Sequence, residues 1–176
     1  MKRHLLFAAL GVLCVQVTAF AQVEDPAKAG PDQQFVQKAS ALGLAEVTLG
    51  KIAQERAGSP EVKKFAQQMI NDHGKANKEL MELAAKKSLK PSQDMVAEHQ
   101  ALMVKLQKLS GAEFDREYLI AQIKDHKDAV TLFDNFTKSG QDDDLKKWAG
   151  EKLPNLKEHL KMAEEIHGKL EGGGGK

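Results

Sequence analysis

Apolar residues recur along the chain at alternating spacings of four and three, the period of a helix with one buried face. One such stripe is Phe35, Ala39, Leu42, Glu46, Leu49, Ala53, and a second is Val62, Ala66, Met69, His73, Ala76, Leu80, Leu83. A third is Leu119, Gln122, His126, Ala129, Phe133, Phe136, and a fourth is Leu156, His159, Ala163, Ile166, Leu170. Between the second and third lies a shorter apolar side of Val96, Leu102, Met103, Leu106 and Leu109. The breaks between stripes are written in turn residues: Gly58-Ser59-Pro60-Glu61, Leu89-Lys90-Pro91-Ser92, Ser110-Gly111 and Ser139-Gly140. The pattern predicts a first helix opening at Pro31 with Asp32 as cap, and a second from about Pro60 to Ser88. A short helix follows over 93–109, a fourth from about Ala112 to Lys138, and a fifth from near Asp142. Pro154, inside the fifth, is expected to kink or restart it.

These elements predict an all-α protein, a ferritin-like four-helix bundle with a shorter crossover helix between the second and third long helices. Tight turns near Gly58 and Gly140 give two antiparallel pairs. A crossover that runs back along the bundle makes the second and third long helices parallel. Each stripe then carries a polar residue at a comparable height. His73 and His126 lie roughly three to four turns into their helices, and Glu46 about three turns before the first break. His159 lies about a turn and a half deeper than the other three, a mismatch that the Pro154 irregularity partly absorbs. The expectation is a mid-bundle layer of Glu46, His73, His126 and His159.

Such a layer has two readings. Three imidazoles and a carboxylate suit one zinc, iron, manganese or copper ion. The same residues also make a buried hydrogen-bonded network that fixes helix register. Each site histidine follows an acid (Asp72, Asp125, Glu158), and adjacent helical residues point about 100° apart. Asp72 and Asp125 are therefore candidates to orient a histidine on a neighbouring helix from behind, whereas Glu158 reads as an ordinary boundary carboxylate. Gln122, one turn before His126, is placed to bond a ring nitrogen. Tyr118 is expected to pack with its hydroxyl at the rim, and His99 on the crossover to be exposed.

Composition narrows the class. Few aromatics and few prolines, with 41% hydrophobic and 29% charged residues, suit helices. Lys and Arg number 26 against 25 Asp and Glu, a balance that argues against nucleic acid as partner. Lys2, Arg3 and His4, the apolar run from Leu5 to Val17 and the Ala19-Phe20-Ala21 pattern predict a signal peptide over 1–21. Cleavage after Ala21 places the mature protein in the periplasm or beyond. The single cysteine, Cys14, would leave with it. A polar linker over 22–30 then leads to a helical domain over 31–171 and a flexible glycine tail over 172–176. No stretch of the mature chain is long and apolar enough to span a bilayer. Peripheral association with the envelope and the oligomeric state stay open. Gly-rich phosphate loops, Ser-His-Asp arrangements and cysteine sites are lacking, so the balance is against an enzyme.

The strings EVTLGKIA (46–53), VKKFAQQMINDH (62–73), SGAEFDREY (110–118), KDH (124–126) and LPNLKEH (153–159) resemble the domain-of-unknown-function 4142 family over nearly all of 33–167. That resemblance implies an exported bacterial protein, sometimes labelled an outer membrane protein, with a ferritin-like fold. It implies no activity. Di-iron members of the ferritin-like class carry Glu-x-x-His, but here Ile70, Ile123 and Leu156 stand three residues before the histidines. A two-iron oxidase centre is therefore not expected. The functional expectation is an exported bundle binding one metal ion, with a stress-linked redox role as a weaker extension. The alternative is a non-catalytic envelope interaction or stress-related protein whose polar layer is structural.

Overall fold

The computed structural model describes residues 29–172. The predicted signal peptide, most of the linker and the end of the glycine tail lie outside the described residues. Five helices follow one another: α1 (Pro31–Arg56), α2 (Pro60–Lys86), α3 (Ala97–Leu106), α4 (Gly111–Ser139) and α5 (Asp143–Gly172). Gly30 rather than Asp32 caps α1. The Asp32 carboxylate instead accepts from Gln141 N at 2.9 Å, which ties the start of α1 to the α4–α5 turn. Ser59 caps α2 by accepting from Glu61 N, with Pro60 in the first turn. α5 passes through Pro154 as one continuous helix; the ring costs one helical donor but does not restart the element.

Helix directions follow from contacts at the two ends. At one end the bend after α1 meets the start of α4. Ala57 and Gly111 form an isolated bridge, and the buried Asp115 carboxylate accepts from Gly58 N at 3.0 Å and Ser59 N at 2.8 Å. At the other end Lys87 bridges Asp142 and Asp144 at 2.6 and 2.8 Å. α2 and α4 thus run parallel, and α1 and α5 run opposite to them, the ferritin-like arrangement. Around the bundle α1 touches α2 and α4, and α5 touches α2 and α4. α3 lies against α1 and α4.

The crossover is shorter than its apolar pattern predicts. Ser92 N donates to Ser40 Oγ at 2.8 Å, and Gln33 and Lys90 exchange two hydrogen bonds. These hold the chain before Ala97 against α1, where local side-chain bonds compete with helix. Glycine is required at the crowded end. Gly111 has φ +61°, and a Cβ on Gly58 would stand 2.8 Å from Gly111 Cα.

The apolar interior falls into two clusters. One is built around Phe35, Phe133, Phe136, Leu145 and Trp148. The other gathers Leu49, Phe65, Met69, Phe114, Tyr118 and Leu119. The polar residues of the four stripes lie between them. Asp115→Ala leaves two backbone donors at the α1–α2 bend without their acceptor. It is expected to lower stability by about 2–3 kcal/mol, read as a midpoint shift in urea unfolding with unchanged slope.

Candidate metal centre

Three of the four polar stripe residues converge. His73 from α2, His126 from α4 and His159 from α5 form a near-equilateral triangle, with ring centroids 5.4 Å apart in all three pairs. One ligand nitrogen from each lies within 4.8 Å of the other two. Among the described residues this is the one group of three or more such side chains with that convergence.

Hydrogen bonds fix which nitrogen is free in two of the three rings. His126 Nδ1 stands 2.9 Å from the carbonyl of Gln122, so it carries the proton and Nε2 keeps the lone pair. His159 Nε2 stands 2.9 Å from Asp72 Oδ2, so it donates to that carboxylate and Nδ1 keeps the lone pair. Asp72 belongs to α2 and His159 to α5, an acid backing an imidazole across a helix pair, as metal-ligating histidines are commonly oriented. His73 Nε2, His126 Nε2 and His159 Nδ1 are each buried without a hydrogen-bond partner. An unpartnered buried nitrogen is costly; His126 and His159 each present a lone pair here, and His73, whose ring makes no hydrogen bond, is free to present a third.

The rings are neutral at physiological pH. Burial holds His73 well below the usual imidazole range, and its two histidine neighbours push further in that direction. Burial also lowers His126, opposed by the Gln122 carbonyl and Asp125, and lowers His159, opposed by Asp72. Neutral imidazoles are the form that binds metal.

Glu46 takes a different position from the one its stripe suggests. It is not in the converging group; it sits on the Nδ1 side of His126, Oε1 3.7 Å from that nitrogen, too far for a hydrogen bond. Its Oε2 accepts from Gln122 Nε2 at 2.6 Å. α1 packs on α4 from that side, so Glu46 meets the protonated edge of His126 rather than the triangle. Burial, with the nearby Asp125 charge, raises its pKa from 4.5 to about 8, so it is a neutral acid near pH 7. Gln122 serves His126 through its backbone carbonyl and Glu46 through its amide.

Asp125 also turns away from the triangle. It faces His99, whose Nε2 lies 3.2 Å from Asp125 Oδ2, as a charge pair rather than an aligned hydrogen bond. His99 is buried, contrary to the expectation of exposure, because α3 lies flat on α1 and α4 and this residue points inward. Asp125 raises its pKa. Tyr118 is fully buried, its hydroxyl inside the core and not at a rim. Asp115, which the hydrophobic pattern did not single out, ties the α1–α2 bend to the start of α4. The pattern marked stripe positions and could not find a carboxylate whose partners are backbone amides of another helix pair.

The family model described as a domain of unknown function, DUF4142, matches residues 17–166. The chain belongs to the DUF4142 family. Solved structures share its fold at low identity. A DUF305 fragment from Deinococcus radiodurans is 16% identical, with a TM-score of 0.72 over 80% of this chain and 97% of that one. A DUF305 protein from Streptomyces coelicolor, also 16% identical, gives 0.70 over 80% and 92%. CopM in its Cu(I)-bound form, 20% identical, gives 0.66 over 78% and 96%. No curated protein matches the chain. No helix among the described residues is long and apolar enough to cross a membrane.

The Glu46 shift has a defined sign. Between pH 4.5 and about 8 the folded DUF4142 domain holds a proton at Glu46 that the unfolded chain has released. Glu46 therefore lowers stability progressively as pH rises through that window. Glu46→Gln keeps the shape and removes the titration. The variant is expected to exceed the parent by roughly 2–3 kcal/mol near pH 7, with the gap closing near pH 4.5. Urea unfolding of both proteins across that range checks it; a gap that does not change with pH contradicts it.

Proposed function

We propose that this protein is an exported metal-binding helical bundle that holds one transition-metal ion on His73 Nε2, His126 Nε2 and His159 Nδ1. The observation that carries the reading is the convergence of three neutral imidazoles, each with a buried ring nitrogen that nothing in the protein satisfies. Asp72 and the Gln122 carbonyl hold two of the rings in the binding tautomer. Glu46 and Asp125 act behind the ligands, on the hydrogen-bonded side of His126.

The donor set favours copper or zinc. Three neutral nitrogens without a carboxylate in the triangle do not suit the hard, oxygen-seeking ions. Burial between two apolar clusters adds a preference for low charge, which Cu(I) meets better than a divalent ion. The same fold in CopM has been crystallised with Cu(I), Cu(II) and silver, which supports placing copper first. The missing bridging carboxylates at Ile70, Ile123 and Leu156 support one ion rather than two. Export rests on the leader-like pattern of 1–21.

The test is metal content by elemental mass spectrometry on protein exported to the periplasm and purified without a metal column. One equivalent of copper or zinc is expected in the parent, and none in His73→Ala with His126→Ala. Asp72→Asn is expected to keep the fold and weaken the ion about 10–100-fold. Trp148, the single tryptophan of the chain, lines the same cavity as the histidines. Its fluorescence should therefore quench to saturation at one equivalent of added Cu(II). A parent that takes up none of zinc, iron, manganese or copper overturns the reading and leaves the layer as a register device.

A further inference from the structure

The histidine triangle forms one end of a cavity of about 270 Å³ inside the bundle. That is far more room than one ion needs; a cavity of about 150 Å³ lined by apolar side chains already accepts benzene. The wall away from the triangle is apolar and aromatic, made by Ala76, Ala129, Phe133, Trp148 and Leu156. The lining residues that reach the surface, Lys75 and Glu151, belong to α2 and α5. The cavity therefore opens between these two helices, with Asn77 and Asn155 in its lining.

Three protein ligands leave an ion with an open position, the arrangement of sites that bind an external group rather than closed structural sites. We infer that the cavity admits a small neutral aromatic nitrogen base, of the imidazole class, which binds the ion through its nitrogen and lays its ring along Phe133, Leu156 and Trp148. The inference rests on the metal reading above and specifies what that site takes besides the ion.

Charge selects against a small anion. Asp72 and Glu151 line the cavity on the side of its mouth. Of its two lysines, Lys152 is held in an ion pair with the Glu79 carboxylate. Lys152 also lies over the Trp148 ring, 5.8 Å from its centroid. An anion would face Asp72 on α2 and Glu151 on α5 on the way in, whereas a neutral ring meets apolar wall and an ion. The metal end supplies one directional contact and the wall supplies the rest.

The experiment uses the exported protein loaded with Co(II), whose visible bands report the number and type of its ligands, with Co(II) content measured in the same samples. 4-Methylimidazole and azide are titrated separately. The expected result is a saturable band shift with 4-methylimidazole in the millimolar range, about tenfold or more tighter than with azide. Ala76→Leu, which fills the cavity without touching the donors, is expected to keep one equivalent of Co(II) and lose about tenfold or more in 4-methylimidazole affinity. Ala129→Leu does the same from α4 and stands in if Ala76→Leu does not fold. Bound Co(II) with no response to 4-methylimidazole overturns this inference and leaves the metal reading intact. Azide binding the tighter, or filled-cavity variants binding 4-methylimidazole as well as the parent, overturns it too. A protein that takes up no Co(II), zinc or copper overturns both.

Discussion

Three imidazoles meeting at one level between two apolar clusters, two of them buried and His73 half-buried, set the constraint that the rest of the bundle answers. Each ring brings two polar nitrogens into an interior where an unmet group costs about 1–3 kcal/mol. For His126 and His159 the structure meets one nitrogen and leaves the other facing the triangle. Gln122 supplies a carbonyl and Asp72 a carboxylate. A purely structural network would be expected to turn donors toward acceptors until few were left over. Here three of the unpartnered ring nitrogens, on His73, His126 and His159, face one another, which is the complement of a cation rather than of another side chain.

Around this layer the protein spends further polar groups in a second, adjoining set. Glu46, Gln122, Asp125 and His99 lie on the far side of His126, under α3. Burying Glu46 as a neutral acid keeps an uncompensated negative charge away from the ligand ring, while Asp125 is matched by His99. The short crossover helix thus does more than connect two helix pairs: His99 brings the partner that Asp125 needs. The division leaves one polar set facing inward as a donor triangle and a second set joined by the Gln122–Glu46 hydrogen bond and the His99–Asp125 pair.

The fold was legible because its signals are periodic. Four stripes with Gly, Ser and Pro at their breaks specify four long helices and their order, and a crossover running back along the bundle makes α2 and α4 parallel, which puts His73 and His126 at matching depths. His159 joins the triangle although residue counting puts it deeper in its helix, because a count from a turn ignores how far each helix slides along its neighbour. Glu46 shows the other limit. Its stripe position placed it at the right level, but level does not say which edge of an imidazole a side chain meets. That depends on the order of helices around the bundle, and α1 adjoins α4 on the Nδ1 side of His126. His99 was misjudged because a short amphipathic crossover with Glu98 beside it reads as solvated until its inner face is known to cover α1 and α4. The Asp115 contact was invisible for the same reason, its partners being backbone amides at Gly58 and Ser59.

X-ray absorption at the metal edge of the copper- or zinc-loaded protein tests the central claim most directly. The account predicts three imidazole nitrogens at about 2.0–2.1 Å, with the outer-shell scattering of histidine rings, and loss of that pattern in His126→Ala. A first shell made mainly of oxygen, or one unchanged when His126 is removed, would contradict it and move the ion to the surface.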